Sequence, residues 1–447
     1  MNIFTLLKAR AAEKRPLRVG LIGAGKFGAM FLSQVRRTPG LHLLGVADLS
    51  VERARAALRT TGWSEDRIGA LSFPKALGDG TTMVTDDAVA LINAPGMEVV
   101  VEATGSPEAG IAHALACFDR GRDVVMVNVE ADALAGPLLA RRAAEAGVVY
   151  SLAYGDQPAL ICEQVDWART CGFEVVAAGK GTLYMPHFHD STPETVWSHY
   201  GLTPERAQGS GLNPKMFNSF LDGTKSAIEM AAVANATGLT PAPDGLAFPP
   251  CATDQLAKTL IPMSDGGVLH HKGQVEVVSS RNCDGSDVTG DLRWGVYVTF
   301  EAPSEYVERC FSDYGLITDS SGRYTALWRP YHLIGLELGI SVAHVGLLKM
   351  PTGVAHGFNA DVAAIAKRNL HPGEILYGEG GFTVWGRLMP AATSIAKGAL
   401  PIGLAHDLKV TRAVLKGQVV TWADVEAPAD GLAVRVRREM ERAFAAP

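Results

Sequence analysis

Leu17-Arg18-Val19-Gly20-Leu21-Ile22-Gly23-Ala24-Gly25-Lys26-Phe27-Gly28 reads as a short apolar strand that runs straight into three spaced glycines. Phe27 to Arg37 then has helical spacing and stops at Thr38-Pro39-Gly40, and a second strand, Leu41 to Ala47, ends in Asp48. Strand, glycines, helix, strand and acid in this order form a dinucleotide-binding fingerprint. Gly23 permits the tight turn, Gly25 lets the backbone approach a pyrophosphate, and Gly28 lets the helix pack on the strand. The amides of Lys26 and Phe27 at the helix start face the phosphates. Asp48 lies where a ribose-binding carboxylate is expected, and Ser50 and Arg53 follow on the next helix, where they suit a 2′-phosphate.

Outward from that stretch the pattern continues. Residues 50 to 60 read as a helix, and 61 to 96 as an irregular insertion plus a helix. Glu98 to Glu102, Asp123 to Val127 and Val148 to Ala153 are strands, separated by helices at 107 to 120 and 132 to 146. Such alternation predicts right-handed crossovers and an α/β, doubly wound parallel sheet of the Rossmann type over residues 1–155. Ligands on these sheets lie beyond the strand carboxyl ends. Thr104 and Gly105, Asn128 to Glu130, and Tyr154-Gly155-Asp156 are therefore expected to line one crevice.

From 156 to 355 the strand-like runs Phe173 to Ala178, Gly273 to Ser279 and Trp294 to Phe300 are mixed with polar loops, as in an α+β catalytic and oligomerisation domain. Arg329-Pro330-Tyr331 is expected to open a largely apolar helix to about Leu348 that packs back on the cofactor domain. Residues 356–447 read as a small β-rich unit. Hydrophobic content of 47% and a net charge of −6 over 447 residues, with no long run of either sign, give no electrostatic footprint for nucleic acid or a membrane surface. The six cysteines form no C-x-x-C pair, which fits a reducing, cytoplasmic setting. No apolar stretch reaches the ~18 residues of a membrane span. A homodimer is the expectation for an oligomer of this kind.

Three motifs carry a family resemblance. Val99-Val100-Val101-Glu102-Ala103-Thr104-Gly105 resembles the homoserine dehydrogenase turn beside the nicotinamide ribose. Asn128-Val129-Glu130 is similar to the Asn-Lys motif of those enzymes and to the Asn-Lys-Glu motif of deoxyxylulose phosphate reductoisomerase, with Val129 in place of lysine. Gly155-Asp156-Gln157-Pro158 stands where the former carry Gly-Gly-x-Pro and the latter an acidic metal-binding segment. Roughly the last 70 residues, from Ala366 through Leu400-Pro401-Ile402-Gly403 to Val425, resemble a SAF-type domain. Together these resemble the deoxyxylulose phosphate reductoisomerase-like proteins of some bacteria, as do Leu183 to Asp190 and Gly211 to Lys215.

That resemblance implies conversion of 1-deoxy-D-xylulose 5-phosphate to 2-C-methyl-D-erythritol 4-phosphate in isoprenoid biosynthesis. NADPH would be the reductant, and a divalent cation (magnesium or manganese) would assist the ketol rearrangement. On this reading Asp156 is the metal ligand, with a helix cap as its alternative, and Glu130 lies beside it in the crevice. Lys180, expected just after a strand, and Lys225, expected on one helix face with Asp222 and Glu229, are proton donors or substrate clamps. His187 and His189, on an extended His187-Phe188-His189-Asp190 segment, are ligand or proton-transfer candidates. Asn213 and Lys215, and Ser280, Arg281 and Asn282, are candidates for holding the substrate phosphate. Two other readings remain open: a dehydrogenase of another hydroxy acid or sugar without rearrangement, and a dinucleotide-binding redox sensor without turnover.

Overall fold

A computed structural model of the chain describes residues 2–209, 211–428 and 430–445. It forms two compact units, residues 1–160 with 333–354, and 161–332 with 355–447.

The first unit follows the grammar of its sequence. Helix α1 (Ile3–Ala12) leads into β1 (Leu17–Ile22), α2 (Lys26–Val35), β2 (Leu41–Ala47) and α3 (Val51–Thr60), which Ser50 caps by accepting the N–H of Arg53. The stretch expected to be mostly loop holds three short helices, α4 (Glu65–Ile68), α5 (Phe73–Asp79) and α6 (Ala88–Ile92), and a strand, β3 (Met83–Thr85). β3 is only three residues long, too short for any periodicity to show, yet it completes the sheet edge. β4 (Val99–Glu102), α7 (Pro107–Asp119), β5 (Asp123–Met126), α8 (Val129–Glu145) and β6 (Tyr150–Leu152) complete a six-stranded parallel sheet. Its order is β3-β2-β1-β4-β5-β6, so the strand order reverses between β1 and β4. That switch point is where an open sheet binds its ligand.

The segment 330 to 348 corrects the sequence reading. No helix opens at Pro330; only Gly339–Ala343, continued by a π turn at His344–Leu348, is helical. Gly335 breaks the run with φ of 77°, and a Cβ there would stand 2.6 Å from the Phe27 carbonyl oxygen. Leu338, Val342 and Val345 join Phe31, Leu32 and Val35 of α2 and the β1 residues Leu17, Val19 and Leu21 in one core. Fully burying each such side chain stabilises by ~1.5–3 kcal/mol. Tyr154 N–H donates to Ser341 Oγ at 2.7 Å, so the returning segment also braces the end of β6.

In the second unit a helix, α9 (Gln157–Thr170, which begins in the first unit), precedes β7 (Glu174–Thr182). Helices α10 (Val196–His199), α11 (Pro204–Gly209), α12 (Pro214–Leu221) and α13 (Thr224–Thr237) follow. β8 (Gln274–Ser279), β9 (Val296–Glu301) and β10 (Tyr324–Arg329) join β7 in a mixed sheet of order β10-β9-β7-β8. The C-terminal residues form β11 (Ala360–Ala366) paired antiparallel with β13 (Val384–Pro390). A second small sheet there is made by β12 (Ile375–Tyr377), β14 (His406–Val410) and β15 (Val425–Glu426). These strands lie in the same compact unit as β7 to β10, although the sequence reading treats residues 356–447 separately. No helix among the described residues is long and apolar enough to cross a membrane.

In each unit burial raises one carboxyl group far above its ordinary range. Asp132 on α8 accepts a hydrogen bond from Tyr150 at 3.0 Å, yet burial pushes it up to about 7. Burial does the same to Glu276 on β8, to about 7, against the N–H groups of Val277, Ala247 and Phe248. In the unfolded chain both titrate near pH ~4. Between about pH 4 and 7 the folded state therefore holds the extra protons, and this contribution to stability is complete below that window and lost as pH rises through it. The melting temperature is expected to fall by several degrees from about pH 5 to about pH 8. Asp132→Asn and Glu276→Gln should each flatten that slope in calorimetry; slopes unchanged in both variants would contradict the assignment.

Candidate functional site

The glycine turn has the geometry of a phosphate cradle. Gly23 has φ of 95°, and a Cβ there would lie 2.6 Å from the Ala103 carbonyl oxygen, so the turn admits no side chain. A Cβ at Gly28 would lie 2.2 Å from the Gly23 carbonyl oxygen, which is why the helix comes so close to the turn. Gly25 differs from both: it caps α2 with φ of −70°, and its Cβ position has nothing within 4 Å. An exposed, unobstructed backbone at a helix start is what a pyrophosphate needs. Lys26 is exposed and Phe27 half-buried beside it.

Asp48 is drawn into this turn. Its Oδ2 accepts the N–H of Ala24 at 2.8 Å, and its Oδ1 accepts the N–H of Ser50 at 3.0 Å and the Arg53 guanidinium. Burial alone would raise this carboxyl; the Ser50 and Ala24 N–H groups and Arg53 outweigh it and hold the group below its ordinary value. The Asp48 side chain is only 2% exposed, whereas that of Arg53 is 60% exposed. The carboxylate is thus folded inward and neutralised, while the guanidinium and Ser50 remain at the surface beside an exposed Leu49. The cradle and this corner fit a dinucleotide.

At the other side of the switch point, β4 ends in Glu102, fully buried. Its Oε1 accepts the Thr104 hydroxyl at 2.6 Å and lies 3.1 Å from His113 Nδ1, while its Oε2 has no partner among the described residues. Asn128 caps α8 by accepting the N–H of Ala131 and donates to the Ser106 carbonyl at 2.7 Å. Thr104 and Asn128 are therefore brought together, with Gly105 (φ 72°) open beside them and Glu130 in the first turn of α8. Val129, where the resembled families carry lysine, is buried in the helix. Glu102 and His113 were not among the sequence candidates, because an acid ending a strand and a helical histidine eleven positions on share no local signature.

Asp156 sits at the start of α9. It is buried, its Oδ1 accepts the N–H of Gln157 at 2.9 Å, and its carbonyl accepts the N–H of Leu160 as α9 begins. Glu337 of the returning segment lies next to it: a Cβ on Gly155 would stand 2.9 Å from the Glu337 Cβ. Among the described residues no three His, Cys, Asp or Glu side chains come together to hold a metal ion. The residues present do not fit the divalent cation that the resemblance implies.

In the second unit Lys180 lies inside β7 rather than after it, and it is buried. The glycines beside it are enforced by close backbones: a Cβ on Gly179 would stand 1.8 Å from the Glu276 carbonyl oxygen, and one on Gly181 2.1 Å from that of Leu292. Lys180 Nζ meets Glu229 of α13, and both side chains are under 10% exposed. Glu229 is thus a partner of Lys180, a contact that helical spacing did not suggest. Asp222 is not on that helix face; it precedes α13 and pairs with Lys367 Nζ at 2.7 Å.

His187-Phe188-His189-Asp190 is a 3₁₀ turn, not an extended segment, because Pro186 fixes its first residue. The two histidines therefore do not share a face. His187 is exposed, its ring 5.8 Å from that of His199. His189 stacks on Trp385 at 3.8 Å, and burial lowers its affinity for a proton. Its Nδ1 meets the Asp222 carbonyl at 2.7 Å and its Nε2 the Tyr184 hydroxyl at 2.9 Å. The proposed phosphate holders are occupied locally. Asn213 Oδ1 accepts the N–H groups of Lys215 and Met216 at the start of α12. Arg281 pairs with Asp287 at 2.9 Å and the Gly285 carbonyl, and Asn282 donates to Ser286 and Asp287 in the same turn, with Ser280 N–H on Thr182.

Comparison with known proteins places family models on both halves of this architecture. Residues 23–151 match the homoserine dehydrogenase NAD-binding domain, and residues 155–338 match the catalytic domain of oxidoreductase DRL. The SAF-type likeness of the last residues rests on the sequence alone. No curated protein matches the chain. Among solved structures, an oxidoreductase domain protein from Kribbella flavida is 17% identical, with a TM-score of 0.29 over 39% of this chain and 44% of its own. A putative oxidoreductase from Magnetospirillum magnetotacticum is 19% identical, with a TM-score of 0.30 over 51% and 59%. The WlbA dehydrogenase from Bordetella pertussis, solved with NADH and UDP-GlcNAcA, is 16% identical, with a TM-score of 0.29 over 43% and 52%. The chain spans about half the length of these structures, and at such scores they carry no argument about ligand or reaction.

Gly25 gives a clean test of the cradle. Gly25→Ala is expected to leave the melting temperature within ~2 °C, because the Cβ enters open space at an ordinary φ. Dinucleotide affinity, read by fluorescence titration, should drop at least about tenfold as the methyl blocks the pyrophosphate. Undiminished binding would remove the cradle assignment.

Proposed function

From the premise that this chain is an NAD(P)-binding oxidoreductase of the DRL type, we propose that it uses NADPH to reduce the carbonyl of a phosphorylated ketol. The specific reaction proposed is 1-deoxy-D-xylulose 5-phosphate plus NADPH and a proton giving 2-C-methyl-D-erythritol 4-phosphate and NADP. The observation that carries the reading is the buried Lys180–Glu229 pair, which lies within the segment matching the DRL catalytic domain. The bound cofactor supplies hydride to carbon. The protein must take a proton from a substrate hydroxyl, stabilise the oxyanion that forms and return a proton to oxygen. An ammonium and a carboxylate in direct contact, out of water, are equipped for those three tasks. No metal step is derived, since no three metal-ligating side chains come together among the described residues.

The 2′-phosphate is read by Arg53 and Ser50. With Asp48 turned onto Ala24 N–H, the charge that normally repels a 2′-phosphate is withdrawn and already paired. Arg53→Gln should weaken NADPH about tenfold or more while changing NADH less than about twofold, as measured by titration. Equal losses for both cofactors would count against this corner as the discriminating site.

A second reading, reduction without skeletal rearrangement, is favoured by the lack of a three-ligand metal cluster among the described residues. Product analysis separates the two: purified protein with deoxyxylulose phosphate and NADPH yields the branched methylerythritol phosphate in one case and an unrearranged polyol in the other. No NADPH oxidation would remove both. Replacing Lys180 alone leaves a buried carboxylate, a cost of about 3–5 kcal/mol, so the informative variant is Lys180→Met with Glu229→Leu. It is expected to fold, bind NADPH as the parent does and lose turnover by at least about a hundredfold.

A further inference from the structure

β4 ends in a carboxyl group that the proposed chemistry does not use. Glu102 is 0% exposed, and its Oε2 has no hydrogen-bond partner among the described residues. A buried carboxyl oxygen left unanswered is costly, so the group calls for an explanation. Its other oxygen, Oε1, accepts the Thr104 hydroxyl at 2.6 Å and stands 3.1 Å from His113 Nδ1 on α7. Thr104, two residues on, is exposed.

Thr104 also borders the glycine cradle. Ile22 and Glu102 are opposite each other in the β1–β4 pair, and Ala103 N–H donates to the Ile22 carbonyl at 2.8 Å. A Cβ on Gly23 would stand 3.0 Å from the Thr104 backbone nitrogen. The exposed hydroxyl thus sits at the switch point of the sheet, next to the turn that fits a pyrophosphate.

A hydroxyl has one hydrogen to donate and two lone pairs to accept with. Glu102 holds the hydrogen of Thr104, so Oγ1 offers only lone pairs to the crevice. The N–H groups that point at it, Ser106 at 3.3 Å and Asn128 Nδ2 at 3.4 Å, both lie beyond the ordinary range of about 2.7–3.2 Å. Asn128 gives its better bond to the Ser106 carbonyl, at 2.7 Å. Donation to a carboxyl group polarises the hydroxyl and strengthens it as an acceptor. A threonine in an ordinary turn needs no buried acid behind it; a hydroxyl fixed as an acceptor does.

We infer that Glu102, braced by His113, is a positioning residue that fixes the Thr104 hydroxyl as acceptor for a hydrogen-bond donor on the nicotinamide riboside half of the cofactor. Two groups there have that chemistry, the carboxamide N–H and a ribose hydroxyl. The inference rests on the dinucleotide reading of the cradle.

The test is binding, by titration of the full chain with NADPH and with adenosine 2′,5′-bisphosphate, the half of the cofactor without nicotinamide riboside. Thr104→Val and Glu102→Met are each expected to weaken NADPH about three- to tenfold and to leave the bisphosphate within about twofold. Damage to the fold or the cradle would weaken both ligands alike. Thr104→Ser, which keeps the hydroxyl, should recover most of the loss. Because Glu102 acts through Thr104, the double variant should bind no more weakly than Thr104→Val alone. Circular dichroism checks the folds, and Glu102→Leu replaces Glu102→Met, with the same expectation, if the latter does not fold. An NADPH analogue with acetyl in place of the carboxamide separates the two donors. Thr104→Val leaves its affinity unchanged if the carboxamide is the donor and weakens it if a ribose hydroxyl is. Equal losses for both ligands, or additive losses in the double variant, would overturn the inference. A parent that binds neither ligand sinks the dinucleotide reading itself, whereas NADPH bound alike by the parent and Thr104→Val sinks only the role given to Glu102.

Discussion

Helix α13 is buried from Thr224 to Thr237 except at Lys225, and the second unit is organised around that fact. A helix covered on all sides must keep its neighbours close and leave no polar group unanswered. Ala227, Ala231, Ala232, Ala234 and Ala236 meet the first demand by letting strands pack against the backbone. Paired side chains meet most of the second. Thr224 accepts the N–H of Gly386 on β13, Asn235 accepts the N–H groups of Asn359 and Ala360 and donates to the Ala360 carbonyl, and Glu229 meets Lys180. The helix thereby ties β7 to the C-terminal strands. Those strands are part of the framework that holds Lys180, because the helix carrying its partner cannot be buried without them.

The first unit depends on a smaller but similar device. Asp48, at the end of β2, reaches across to the amide of Ala24 within the glycine turn. A carboxylate that accepts two backbone N–H groups and a guanidinium is held firmly enough to fix the turn before any ligand arrives. The same bond decides the chemistry of the ribose corner. It removes the negative charge from the surface and leaves Arg53 there, which is the basis of the proposed preference for a 2′-phosphate.

What the sequence reveals is what repeats locally. The strand, the glycine spacing, α2, β2 and Asp48 follow from apolar periodicity and turn chemistry within thirty-two residues, Leu17 to Asp48, and they appear where expected. Contacts made over long separations leave no such trace. Lys180 and Glu229 are 49 positions apart, so spacing rules that see only near neighbours do not pair them. The return of residues 333–354 to the first unit is legible from their apolarity, but their shape is not. Its apolar run looked like one helix, and only Gly335, pressed against α2, shows where that run must bend.

The buried ion pairs differ in what their retention means. A pair removed from water rarely adds stability over well-packed apolar residues of the same size, so its presence needs another reason. Arg437, fully buried, binds both oxygens of Asp361 and also Glu441 of its own helix, Leu432–Phe444. That many-toothed fit fixes a register, which is a structural reason. Lys367 likewise fills all three of its donors, on Asp222 and the carbonyls of Ser191 and Gly381, and pins a joint between loops. Lys180 meets its carboxylate from a strand between two glycines that backbone crowding makes irreplaceable, one turn from a hydroxyl left without a partner. On the proposed reading, a fixed cation with a proton-accepting neighbour serves carbonyl reduction, and that would be the reason for keeping the pair.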